Sequence, residues 1–134
     1  MNTLNAQAPR VLAILRIVTG LLFLQHGTQK ILGFPASEYG QPPIASLMGI
    51  GGILELVGGI LIILGLFTRP VAFILSGMMA YAYWFMHAPS NFLPILNGGE
   101  LAIMYCFAFL YFVFAGPGAW SLDSKMKSGS AVTA

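Results

Sequence analysis

The sequence predicts an all-α integral membrane protein, a four-helix antiparallel bundle. Apolar residues make up 57% of the 134 positions and charged residues only 7%, against roughly 25% charged in water-soluble domains. So few polar groups cannot cover a water-facing surface, which leaves lipid as the solvent for most of the chain. The apolar residues also fall into four runs, at about 11–32, 44–67, 71–86 and 99–115, parted by Gly- and Pro-rich breaks. Four spans joined by short links make neighbouring spans antiparallel.

The first span follows a short polar segment, 1–9, with Arg10 at the membrane edge. Its apolar run is too long for a cleaved leader and carries Arg16, and no small-residue cleavage site follows it. Pro35, Pro42 and Pro43 mark the next stretch as a loop. The second span is dense in glycine (Gly49, Gly51, Gly52, Gly58, Gly59, Gly65), which in lipid lets a neighbouring backbone come close. Thr68-Arg69-Pro70 then stops one helix and starts another, with Arg69 placed to reach headgroups. The third span ends in Tyr81, Tyr83, Trp84 and His87, which read first as an interfacial aromatic belt. A second loop with Pro89 and Pro94 leads to Glu100 and the fourth span. Gly116-Pro117-Gly118 ends that span, Trp120 anchors it, and 121–134 is expected to be a small, frayed polar tail.

Arg10, Arg69, Lys125 and Lys127 lie beside the terminal ends of the spans, and only Lys30 lies beside the opposite ends. The positive-inside rule places the side with more cations, and so both termini, in the cytoplasm of a multi-pass inner-membrane protein.

The residues that carry chemistry begin with a stripe. On a helix, Arg16, Thr19, Phe23, His26 and Lys30 fall within an arc of roughly 80°. A cation inside an apolar span needs a partner, because exposing it to lipid costs at least ~2.5 kcal/mol. Glu55, halfway along the second span, needs one too, and Arg16 is the only other charge well inside a span. The expectation is a buried Arg16–Glu55 pair, either setting helix register or forming one wall of a ligand or proton site. Toward the outer surface, His26, Lys30, Glu100 and His87 lie at similar depth, so a shared polar pocket walled by Tyr81 or Trp84 is expected. Headgroup contacts would explain His26 and Lys30 equally well, and Glu100 would complement a helix dipole.

Several classes of function are set aside. A net charge of +2 without a basic aromatic patch excludes nucleic acid as a partner. Cys106 is the sole cysteine, so no internal disulfide chemistry is open to the chain. The histidines and carboxylates share no metal-ligand spacing, so no metal is expected. No haem, flavin or iron–sulfur motif is present, so no intrinsic cofactor is expected.

Arg16 with Gly20, His26-Gly27 and Lys30, then Gly51 and Glu55 with Gly58 and Gly59, form a pattern that resembles the DoxX family of small bacterial membrane proteins. Gly65, Thr68-Arg69, Gly99-Glu100 and Gly116-Pro117-Gly118 followed by Ser121-Leu122-Asp123 extend the resemblance from about Arg10 to Asp123. It implies a four-helix membrane fold and a candidate set of Arg16, His26, Lys30, Glu55 and Glu100. The family is similar to the DoxD subunit of an archaeal thiosulfate:quinone oxidoreductase, and some members are linked to oxidoreductase or thiol-stress complexes. That implies an inner-membrane subunit supporting redox chemistry, with quinone or a redox protein as partner, alone or as a homo-oligomer. His26 or Lys30 would donate to a quinone carbonyl and Glu100 would relay protons. A non-catalytic scaffold for a soluble enzyme is the alternative, and a small-solute transporter a weaker one, because four unbroken spans lack the discontinuous helices of transporters.

Overall fold

The computed structural model describes residues 2–132, which form six helices and no strand. They are α1 (Thr3–Ile31), α2 (Leu47–Leu64), α3 (Thr68–Ala82), α4 (Pro94–Asn97), α5 (Glu100–Ala115) and α6 (Leu122–Val132). A π turn (Tyr83–His87) and a 3-10 turn (Ala88–Ser90) carry α3 onward. Three helices, Thr3–Ile31, Leu47–Leu64 and Thr68–Ser90, are long and apolar enough to cross a bilayer. α5, with 16 residues, is about 24 Å long.

α1 and α2 pack along a seam of glycines. A side chain at Gly27 would strike the backbone of Leu56, and one at Gly20 would meet Ile63 at 2.8 Å. From the other helix, a side chain at Gly52 would meet the Lys30 Cβ at 2.8 Å and one at Gly59 the Leu24 Cα at 3.0 Å. Contacts that rise along α1 fall along α2, so the pair is antiparallel. Each helix carries two of these glycines seven residues apart, two turns on one face, which lets the backbones approach along their length.

α3 and α5 form a second antiparallel pair. The Ser76 hydroxyl donates to the Cys106 carbonyl at 2.8 Å, giving a buried hydroxyl the partner it needs. Phe23 of α1 joins the two pairs, meeting Tyr105 and Phe109 edge-on with ring centroids 5.2 and 4.9 Å apart. Outside this core the helices present Leu, Ile, Val and Phe, as a lipid-facing surface requires.

The end of the bundle that carries both termini is clasped. Asp123 accepts from the Phe67 and Thr68 N–H groups at 2.8 and 2.9 Å, capping α3 from a helix 55 residues away in sequence. Phe67 has φ of 50°, a conformation uncommon for a bulky residue, and the bonds that its N–H and that of Thr68 donate to Asp123 hold it there. The Asp123 N–H in turn donates to the Gly65 carbonyl at 3.0 Å. Burial raises the proton affinity of the Asp123 carboxyl, but the bonds from Thr68 and Phe67 and the charge on Arg16 outweigh it and hold the group below its ordinary range.

Three expectations are corrected here. α1 begins at Thr3 rather than near Val11: Pro9 sits within it, and the Pro9 carbonyl accepts from the Ala119 N–H at 3.0 Å. Residues 122–132 are helical rather than frayed, because Asp123 and Ser121 anchor the start of α6; 133–134 lie outside the described residues. Arg69 turns onto the last turn of α5 instead of reaching for headgroups, donating to the Val113 and Phe114 carbonyls at 2.8 Å each. Carbonyls left over at a helix end accept such a cation readily.

Candidate functional site

Arg16 and Glu55 do not pair. Arg16 is fully buried and donates to the Pro117 carbonyl at 2.9 Å and to the Trp120 carbonyl at 3.0 Å. It therefore reaches toward the terminal end of the bundle and braces the Gly116–Trp120 turn. Glu55 reaches the other way: Lys30 Nζ lies 2.9 Å from each of its oxygens. Gly52 is the reason. With no side chain there, the Lys30 stem lies against α2 and its ammonium descends one turn to Glu55. The side chains are 21% and 7% exposed respectively, so the pair is inside the bundle but within reach of the space beside it.

That space is a cavity of about 440 Å³ between the two helix pairs, at the end opposite the clasp. Lys30, Glu55, His26 and His87 line it together with Phe23, Met48, Met79, Met86 and Tyr105. The walls are mostly apolar, with four ionisable groups converging from three helices. This is the form of a small-molecule site.

The π turn delivers His87. One extra residue per turn shifts the helix face, and such turns recur at functional sites. His87 Nδ1 lies 3.1 Å from the Asn97 carbonyl. A carbonyl only accepts, so this bond uses a proton on Nδ1, and in the neutral form of such a ring the lone pair is on Nε2. Asn97 is buried and fixes its own surroundings, donating to the Asn91 carbonyl at 3.0 Å and accepting from the Gly99 N–H at 2.8 Å. The 91–99 segment is thereby tied to His87, and its Gly98 lines the cavity. His26 stands edge-on to the Tyr105 ring at 6.2 Å.

The structure thus gathers His26, Lys30 and His87 as expected and brings Glu55 to them. It leaves out three residues the sequence pointed to. Glu100 is exposed at the first position of α5, where it faces the helix dipole, while its neighbours Leu101 and Ala102 line the cavity. Trp84 is 67% exposed, on the lipid side of the π turn. Tyr81 stacks on Phe85 at 4.4 Å and lines a neighbouring groove rather than the cavity. The tyrosine that walls the cavity is Tyr105, which sequence reasoning missed. Its signal was the run Ala102, Tyr105, Phe109, Phe112, a three-four spacing that marks one buried face of α5. Among the described residues no three His, Cys, Asp or Glu side chains gather as a metal site would require.

An antiparallel helical bundle with an apolar cavity between its two hairpins, edged by the Lys30–Glu55 pair and two imidazoles, defines a small integral membrane protein. The chain belongs to the DoxX family, whose model matches residues 11–88. It is 52% identical over 130 residues to an uncharacterised protein of Haemophilus influenzae, covering 93% of this chain and 97% of that one. It is 31% identical over 143 residues to the inner membrane protein YphA of Escherichia coli, covering 93% of this chain and 100% of the other. A partial likeness, 36% over 61 residues, joins it to CatD of Bacillus subtilis, provisionally named an oxidoreductase, over 43% of this chain and 46% of that protein. No solved structure matches it.

Proposed function

We propose that this protein is an inner-membrane subunit that binds a quinone in the cavity and supports redox chemistry carried out with a protein partner. One observation carries the reading: the cavity is apolar, yet the Lys30–Glu55 pair and the two histidines stand on its wall. A quinone is flat, uncharged and polar at both ends of its ring. The cation and anion cancel each other within 2.9 Å, so the site favours a neutral guest over an ion. A volume of about 440 Å³ is within the usual range of ligand pockets. Lys30 would donate to one carbonyl, and the free Nε2 of His87 would accept a proton from a quinol hydroxyl at the other. His26 and Tyr105 would flank the ring. The provisional name of CatD points to the same chemistry.

The test is extraction and mass spectrometry of protein purified in a mild detergent. Near-stoichiometric quinone that disappears from Lys30→Met and His26→Ala variants is the expected result. A preparation free of quinone but bound to a soluble protein would replace this reading with that of a scaffold.

We also place both termini in the cytoplasm. Arg10, Arg69, Lys125 and Lys127 lie at the clasped end, while Lys30, at the other, is held by Glu55. With Cys106 replaced by alanine, cysteines at Ser37 and Ser128 should react with an impermeant reagent from opposite sides. Labelling of both from one side would overturn the topology.

A further inference from the structure

The cavity does not end at its own walls. A second space of about 130 Å³ lies between α2 and α3 at the same end of the bundle. It shares Lys30, Met48, Glu55, Met79, Ala82 and Met86 with the cavity, so the two adjoin along the Lys30–Glu55 pair. Its remaining lining comes from positions such as Ile50, Leu54 and Tyr81, all exposed on the surface that faces lipid. The groove therefore runs from the ion pair out to the acyl chains.

Its shape follows from how unevenly α2 and α3 meet. At the clasped end they are bound by the Gly65–Thr68 turn and Asp123, and a side chain at Gly58 would meet Leu75 at 2.8 Å. One and two turns further, the contact lapses: a side chain at Gly51 would meet nothing within 4 Å. Gly51 differs in this from Gly52, its neighbour, which is pressed against Lys30. The groove is also bordered by Met48, Met78, Met79 and Met86, unbranched side chains that reshape around a guest at low cost.

The geometry points to this groove as the lateral doorway for the hydrocarbon tail of the bound molecule, its head held at Lys30–Glu55. The occupant is a quinone bearing a long isoprenoid tail, which enters from the bilayer and leaves its tail between α2 and α3. The inference rests on the quinone reading above and narrows it, since a cavity filled from water would take tail-less quinones equally well. A lipid acyl chain has the same apolar chemistry as the tail, and the test separates the two.

The experiment measures binding of a tailed and a tail-less quinone to purified protein in nanodiscs, unaltered and with Gly51→Leu, which fills the groove from open space. The expected result is binding of the tailed compound about tenfold weaker in Gly51→Leu, with the tail-less compound changed by less than about twofold. Gly51→Ala, with a smaller side chain at the same open position, should give an intermediate loss and guards against misfolding of the larger variant. Equal loss of both compounds, or loss of neither, overturns the doorway while the quinone site stands. Failure of the unaltered protein to bind either compound overturns the quinone site and the doorway with it. Displacement of the tailed quinone by a fatty acid, with no effect on the tail-less one, would assign the groove to acyl chains instead.

Discussion

Lys30 holds both carboxylate oxygens of Glu55 at 2.9 Å across the seam between α1 and α2. The two charges lie inside the bundle, where each is tolerable only because of the other. Removing one partner leaves the other buried and uncompensated, which typically costs ~3–5 kcal/mol; Lys30 is partly exposed, so the lower end applies. Lys30→Met and Glu55→Leu should each lower unfolding stability by about 3 kcal/mol. The double variant should recover most of that loss while binding no quinone. A double variant no more stable than the singles would mean that the pair is not the dominant contact of either residue.

Arg16 makes a different prediction, because it serves the opposite end of the molecule. Its guanidinium donates to two carbonyls of the Gly116–Trp120 turn. Bonds to a charged group are worth ~1.5–3 kcal/mol each, and the buried Arg16 Nε, which has no partner among the described residues, offsets part of that, so Arg16→Leu should destabilise by about 2–3 kcal/mol. Lysine offers one point charge where two diverging N–H groups are used, so Arg16→Lys should not restore stability. The informative measurement is the cycle of Arg16→Leu with Glu55→Leu. Residues that share no partner should add within about 0.5 kcal/mol. Strong coupling would restore the Arg16–Glu55 pair that the sequence suggested.

At the same end, Asp123 supplies a pH-dependent term. Its carboxyl titrates below its ordinary range in the folded protein, through the bonds from Thr68 and Phe67 and the charge on Arg16. A group depressed on folding stabilises fully above its unfolded pKa, about 3.9 for aspartate, and that contribution is lost as pH falls through the lower folded value. Asp123→Asn should therefore be less stable than the unaltered protein at neutral pH. The gap between them should narrow as pH drops below about 4. A gap that stays constant down to acid pH would show that charge on Asp123 plays no part.

Hydropathy made the all-helical membrane character legible, with three helices long and apolar enough to cross a bilayer, and the pocket was legible in part. His26, Lys30 and His87 were legible through depth and helical face. Glu55 was legible as an acid in need of a partner, but the choice of partner went to Arg16 on the strength of its depth within a span. Gly52, three residues before Glu55, marks where Lys30 can lie down. Glu100 was expected in the pocket on depth alone, but on α5 it stands one and two positions before Leu101 and Ala102, which line the cavity. The α6 helix was hidden because its fixing contacts, from Asp123 to Phe67 and Thr68, span 56 and 55 positions. Local composition says nothing about such partners.

The glycine seam is the last place where the structure commits itself. Gly27 packs against the backbone of Leu56, next to Glu55, so a Cβ there has only main chain to push against. A backbone cannot swing aside as a side chain tip can, and overpacking of this kind costs ~1–3 kcal/mol. Gly27→Ala should destabilise within that range, and the wedge should also part α1 from α2 one turn from Lys30. Loss of the Lys30–Glu55 contact would follow, so Gly27→Ala should weaken quinone binding although residue 27 is no part of the cavity wall. Gly51→Ala is the matched control: the position is open, and alanine is the better helix former by about 1 kcal/mol, so stability should hold or rise. Thermal unfolding of both variants in one detergent decides the matter. Equal stability of the two would mean that α1 and α2 do not meet along these glycines.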